Sequence, residues 1–203
     1  MELHRVGERG LLVSCADADA VRSVHAGLLG LRADGALEAV EIVPAACTVL
    51  LDGLADRAAT QRLLTSWEPP VLDALAPGPL VEVPTRYDGP DLDEVARQWG
   101  LSTEEVVEIH TGTELVVAFC GFAPGFAYCT GLPEGRSVAR RAEPRTRVPA
   151  GSVALAGGYS SVYPSSSPGG WQLIGSTDVR PWDPARAEPA LLAPGTRVVF
   201  TRA

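Results

Sequence analysis

Val148 to Thr177 is a run of 30 residues without a charged side chain. Glycine, serine and proline make up 16 of those 30 positions, a composition shared with flexible linkers. The other positions argue against a linker. Val153, Leu155, Tyr159, Val162, Tyr163, Trp171, Leu173 and Ile174 recur through the run and give it apolar surface to bury. Glycine and proline break any helix there, so the run reads as short strands joined by tight, shaped loops. The whole chain agrees: 21 Gly and 17 Pro in 203 residues, with 46% hydrophobic content, favour a β-rich fold with a packed core.

The first 80 residues read differently. Leu11–Ser14 is a short apolar run. Asp17–Leu31 carries apolar residues at helical spacing. Glu38–Val43 and Thr48–Asp52 read as strands, and Ala55–Trp67 as a second helix. A final strand near Leu80–Thr85 would complete a ferredoxin-like unit. Pro69, Pro70, Pro77 and Pro79 mark a stiff connection before it. Asp91 with Glu94 predicts a capped helix ending at Trp99 and Gly100. Ser102 with Glu105 predicts a second one, ending near His110. Strands follow at Glu114–Phe122 and Thr196–Arg202. The expected class is α+β, with a small α/β domain over 1–86 and a β-rich domain over 87–203.

All 17 basic residues are arginine, and the chain has no lysine and no asparagine. That excludes a lysine Schiff base, the phosphate-binding loop ending in Lys-[Ser/Thr], and N-glycosylation. The net charge of −8 argues against nucleic-acid binding. Residues 136–203 nevertheless carry 9 arginines against 4 acids, which suits an anionic small molecule or an acidic partner surface. Cys15, Cys47, Cys120 and Cys129 form no C-x-x-C pair and no disulfide-dense pattern. With no signal pattern at the start, the chain reads as cytoplasmic and reduced. Leu115–Pro133 is uncharged but broken by Gly121, Pro124 and Gly125, so no membrane span is expected. Scattered histidines and cysteines predict no metal site.

Three segments carry candidate chemistry. Gly121 to Tyr128 sets Phe122 and Phe126 around a Pro124-Gly125 turn, as an aromatic-walled pocket lip. Pro144 to Ser152 offers Arg145 and Arg147, one expected toward a pocket and the other toward solvent. In that segment Pro149, Ala150 and Gly151 permit close backbone approach, and Ser152 adds a hydroxyl. Tyr163-Pro164 through Ser167-Pro168-Gly169-Gly170-Trp171 places backbone N–H groups beside an aromatic plate. His110, at a predicted helix end, is a candidate proton-transfer group.

Taken in order, these segments resemble a known family. The matching residues include Tyr87–Gly89, Asp91-Leu92, His110-Thr111, Gly121-Phe122, Pro124–Phe126, Pro144–Ser152, Tyr163-Pro164, Ser167–Leu173 and Ile174-Gly175. The family is variously called the 5-oxoprolinase B subunit, allophanate hydrolase subunit 1 and the sporulation kinase inhibitor (Kip) family. The resemblance is specific over about 85–203. It implies a ferredoxin-like α/β domain followed by a cyclophilin-like β-barrel. It also implies a C-type subunit as partner (the allophanate hydrolase subunit 2 type), ATP held by or with that partner, and a lactam or amide substrate, 5-oxoproline opening to glutamate. Under that reading Arg145 and His110 are catalytic, and the three segments bind substrate. Inhibition of a sensor histidine kinase and an allophanate or urea-pathway amide hydrolase are the alternative activities. The chain departs from the family pattern at Ala154, at Tyr159-Ser160-Ser161 and at Ser176.

Overall fold

The computed structural model describes residues 1–71 and 77–203. The chain divides into two compact units, Met1–Pro77 and Gly78–Ala203. Part of the proline-marked connection, residues 72–76, lies outside the described residues.

In the first unit, β1 (Glu2–Val6) and β2 (Gly10–Ser14) form a hairpin. Then come α1 (Ala18–Ala33), β3 (Glu41–Pro44), β4 (Thr48–Asp52) and α2 (Arg57–Ser66). The sheet order is β1-β2-β4-β3, antiparallel throughout. Alternate residues of the central strands, Leu11 and Val13 opposite Leu51 and Val49, are fully buried. They pack in one core with Val21, Val24 and Leu28 of α1 and Leu64 of α2. Both helices start on aspartate caps: Asp17 accepts from the Ala20 N–H and Asp56 from the Ala59 N–H, each at 2.8 Å.

One strand differs from expectation. The edge place beside β2 is taken by β1, which has too few apolar residues to announce itself. The strand expected to complete this sheet does form, as β5 (Leu80–Thr85), but it runs parallel to β13 (Arg197–Arg202) in the second unit.

The second unit continues with α3 (Leu92–Trp99), α4 (Thr103–Gly112), β6 (Glu114–Cys120) and β7 (Ala127–Thr130). The glycine- and serine-rich stretch then supplies β8 (Arg145–Val148), β9 (Ser152–Ala156), β10 (Tyr159–Val162), β11 (Ser167–Gly169) and β12 (Gln172–Ser176). Seven strands pair in the order β12-β9-β10-β7-β6-β13-β5, and β8 and β11 form a separate ribbon. The two edges of the large sheet meet. Arg86, next after β5, and Ser176, last in β12, exchange both backbone hydrogen bonds at 2.8 Å. That closes the sheet into a near-complete barrel. Gly175 permits the seam, because a Cβ there would stand 2.3 Å from the Arg86 carbonyl oxygen. Val83, Leu115, Val117, Leu155, Val198 and Phe200 fill the core, closed by Val95, Trp99 and Val106 of the two helices.

The capping box of α4 is complete: the Glu105 N–H donates to Ser102 Oγ at 3.3 Å and the Ser102 N–H to Glu105 Oε2 at 2.8 Å. The one expected at α3 is not formed. Asp91 stands at the N-cap but makes no side-chain cap bond. Among the described residues, no helix is long and apolar enough to cross a membrane, and no acid, His and Cys group is placed to hold a metal ion.

Candidate functional site

The loop from β6 to β7 is two turns in series. The Ala123 N–H donates to the Gly121 carbonyl at 2.7 Å, and Phe122 between them has φ 67°. A bond spanning two residues about a positive φ is a γ-turn of the rare, strained kind. The Phe126 N–H then donates to the Ala123 carbonyl at 3.0 Å across Pro124-Gly125, with Gly125 at φ 80°. This is the type II signature expected of Pro-Gly. The strained residue is also the exposed one: Phe122 is 62% exposed. Its ring lies edge-on to Phe126 at 5.2 Å and to Tyr163 at 6.4 Å.

Below it, an aromatic block joins two of the three candidate segments. Phe126 meets Tyr163 at 5.1 Å and Trp171 at 5.2 Å, both edge-on. Tyr128 contacts Trp171 at 5.5 Å and stacks on Phe119 at 4.4 Å. The sequence singles out residues 122, 126, 163 and 171, and the fold brings them together. Tyr159, one of the departures from the family pattern, joins the same block, edge-on to Tyr128 at 5.6 Å.

The backbone donors of the third segment are largely engaged. The Tyr163 phenol packs on Gly169, where a Cβ would stand 2.3 Å from its oxygen. Burial pushes the Tyr163 phenol pKa up, and a hydrogen bond with the Trp171 backbone works the other way. Ser167 and Gly169 pair with Val148 and Arg145 in the β8–β11 ribbon. Pro168 is exposed and Pro164 half-buried.

In the second segment, Ser152 is buried and its hydroxyl donates to the Pro149 carbonyl at 2.8 Å. Gly151, at φ 79°, backs onto Thr177, and Pro149 and Ala150 are exposed. The two arginines have different surroundings. Arg147 is exposed and donates to Ser166 Oγ at 3.2 Å. Arg145 Nη2 donates to Asp91 Oδ1 at 2.8 Å. Residues two apart share a face in a regular strand. The difference arises where the ribbon shifts register between Ser167 and Gly169.

Asp91 explains its missing cap. Only 4% exposed, its Oδ1 also accepts from Arg141 Nη1 at 3.0 Å. Its Oδ2 accepts from the Leu173 N–H at 2.7 Å. One carboxylate therefore holds two guanidiniums and the start of β12, leaving an excess positive charge. Asp91 and Arg141 line an open cleft of about 750 Å3 together with Arg97, Arg140, Glu94 and Glu143, so arginines and acids are balanced there. Sequence reasoning places Asp91 as a helix cap and passes over the Arg140-Arg141 doublet. Arg140 is exposed; burial raises the pKa of both Tyr128 and Tyr163, and the Arg140 charge offsets part of that rise.

His110 stands apart from this surface. It is fully buried, with Nδ1 hydrogen-bonded to the Tyr87 hydroxyl at 2.7 Å and Nε2 to Ser160 Oγ at 2.8 Å. Its ring lies 4.3 Å from that of Phe200. Burial pushes its pKa down to about 3, so the imidazole is neutral at neutral pH. The candidate proton-transfer group is thus a core side chain with both ring nitrogens occupied.

Comparison with known proteins gives the same direction. The family model for the carboxyltransferase domain, subdomain C and D, matches residues 1–192. The B subunit of 5-oxoprolinase from Escherichia coli O157:H7 is 51% identical over 146 residues, 70% of this chain and 66% of that protein. The corresponding B subunit from Bacillus subtilis (strain 168) is 48% identical over 126 residues, 61% of this chain and 52% of that protein. The crystal structure of TTHA0988 superposes with TM-score 0.78 and 36% identity, over 97% of this chain and 40% of that one. The match thus spans about half to two thirds of these curated relatives' length. The chain belongs to the carboxyltransferase domain family, subdomain C and D, the family that takes in the 5-oxoprolinase B subunits it resembles.

Proposed function

We propose that this chain is the B-type component of an ATP-dependent lactam-opening complex that converts 5-oxoproline to glutamate together with a C-type partner. The observation that supports this most is that two of the three family segments converge beneath one exposed ring. Exposed Phe122 stands over the buried Phe126–Tyr163–Trp171 block, and the charge of exposed Arg140 reaches Tyr128 and Tyr163. The exposed Phe122 ring, held from beneath by the buried block, suits the flat, weakly polar lactam ring, and the Arg140 guanidinium suits its carboxylate.

The chain's own residues do not fit a nucleotide held alone. It has no lysine. Arg141 and Arg145 are engaged by Asp91. ATP is therefore a co-substrate bound mainly by the partner. A lactam carbonyl is a poor electrophile, and phosphorylation of its oxygen is the chemistry ATP supplies. This chain's share is to bind and orient the ring and to exclude water. In this reading Arg145 acts through Asp91, holding the Gly169-Gly170-Trp171 segment in place, and His110 supports the barrel from within. Co-purification with a C-type homologue, with no ATP retained by the isolated chain in equilibrium dialysis, is the expected result. Tight ATP binding by the isolated chain would contradict it, and a stable complex with a histidine kinase instead would favour the regulatory alternative.

Phe122 gives a sharper check. Phe122→Gly relieves a positive-φ strain of about 1 kcal/mol or more, so the thermal midpoint should rise or hold. Turnover of the reconstituted complex should nevertheless fall about tenfold or more, through KM first. Equal loss of stability and activity would mean that the ring is only structural.

A further inference from the structure

The four cysteines differ sharply in setting. Cys129 is buried in the barrel core, and burial pushes its thiol up to about 12. Cys120 is half-buried, pushed up to about 11 for the same reason, with its sulfur toward the Leu192 carbonyl at 3.2 Å. Both are poor nucleophiles. The other two lie in the first unit, 32 positions apart in sequence, and no local motif links them.

Strand register does link them. β2 and β4 pair Leu11 with Leu51, Val13 with Val49 and Ser14 with Thr48. The same register carried one step further sets Cys15 opposite Cys47, and the Cys15 N–H donates to the Cys47 carbonyl at 2.9 Å. Side chains directly opposite in an antiparallel pair lie on the same face. That face carries the core pairs Leu11–Leu51 and Val13–Val49, and Cys15 and Cys47 follow it one step beyond the last paired residues. Cys15 packs against the edge of the core and Cys47 is exposed. Burial raises the Cys15 pKa, which leaves the exposed Cys47 as the attacking thiol, and a smaller contribution to that rise comes from Cys47 itself. One of the two backbone bonds of such a pair is made; a fully bonded antiparallel pair has its Cα atoms about 5.5 Å apart, inside the roughly 4.4–6.8 Å that a disulfide spans. Both residues stand just past the ends of their strands, where the backbone can adjust.

We infer that Cys15 and Cys47 form a reversible cross-strand disulfide on exposure to a small-molecule disulfide such as oxidised glutathione. The exposed Cys47 thiolate attacks the glutathione disulfide, giving a mixed disulfide and releasing one glutathione thiol. The Cys15 thiolate then displaces the second glutathione. The protein gives up two protons and two electrons, and one glutathione disulfide becomes two glutathione thiols. The closed loop contains α1 and β3 and staples the two central strands of this sheet. The site is a redox-set clamp, distinct from the aromatic surface of the second unit.

The absence of lysine makes the test clean, because trypsin cuts only after arginine here. Cys15 falls in peptide 10–22, Cys47 in 33–57, and Cys120 with Cys129 in 98–136. The full chain is incubated with oxidised glutathione, alkylated under denaturing conditions and digested without reductant. The expected result is one species joining 10–22 to 33–57, a mass loss of about 2 Da on the intact chain, and reversal by dithiothreitol. Cys47→Ser, at an exposed position, should abolish the link without disturbing the fold. Glutathione remaining on Cys47 alone, a link through 98–136, or four alkylated thiols would each overturn the inference.

Discussion

Replacing Asp91 with alanine should lower the thermal midpoint of the second unit by about 10 °C. The carboxylate is nearly buried and serves three donors: Arg141, Arg145 and the Leu173 N–H. Removing it leaves two guanidiniums without the carboxylate to which both donate. Loss of one partner of a buried ion pair costs about 3–5 kcal/mol. The arginine side chains are 35% and 21% exposed, so water recovers part of that and the lower end applies. About 3 kcal/mol corresponds to roughly 10 °C for a unit of this size. Asp91→Asn keeps the Leu173 bond and should recover part of the loss. Arg145→Ala should weaken the unit less than Asp91→Ala, because Arg141 still neutralises the carboxylate. Differential scanning calorimetry on the three variants decides this. Equal midpoints for Asp91→Ala and wild type would mean that the triad carries no stability.

The second large effect is pH-dependent and centres on His110. Its folded pKa, about 3, lies below the unfolded value near 6.5. The unfolded chain therefore binds more protons between those limits. Stability from this group is complete above about pH 6.5 and is lost as pH falls toward 3, by about 1.4 kcal/mol per pH unit. His25 is also held low by burial and adds the same sign in the first unit. The two separate by mutation: His110→Gln should flatten the pH dependence of the second unit's melting between pH 6.5 and 5. At pH 7.5 the same variant should be destabilised, because the Tyr87 hydroxyl and Ser160 lose their shared partner. An unchanged slope in the variant would show that His110 is not held neutral in the folded state.

Residues with local signatures were legible in the sequence. The Ser102–Glu105 box, the helical spacing after Asp17 and the Pro124-Gly125 turn each depend on neighbours within a few positions. The interleaved apolar residues of 148–177 became β9, β10 and β12 as read. The failures have one cause, competition from distant partners. Asp91 has the right position for a cap, but arginines 50 and 54 residues away bind its carboxylate more strongly. β5 has a strand's pattern but pairs with a strand more than a hundred residues on. His110 ends a helix as predicted, yet the fold packs it against Phe200 and Ser160 instead of exposing it to water. The Cys15–Cys47 pair is invisible to motif reading for the same reason. Its proximity exists only through the β2–β4 register.

In the proposed function, exposed Phe122 and the block beneath it serve lactam opening in a complex. The most direct measurement is glutamate formed from 5-oxoproline and ATP by the reconstituted complex. Turnover should require this chain and its C-type partner together, and should drop about tenfold or more with Phe122→Gly while the complex stays assembled. An assembled, folded complex that consumes allophanate or a urea-derived amide but releases no glutamate from 5-oxoproline would contradict the account.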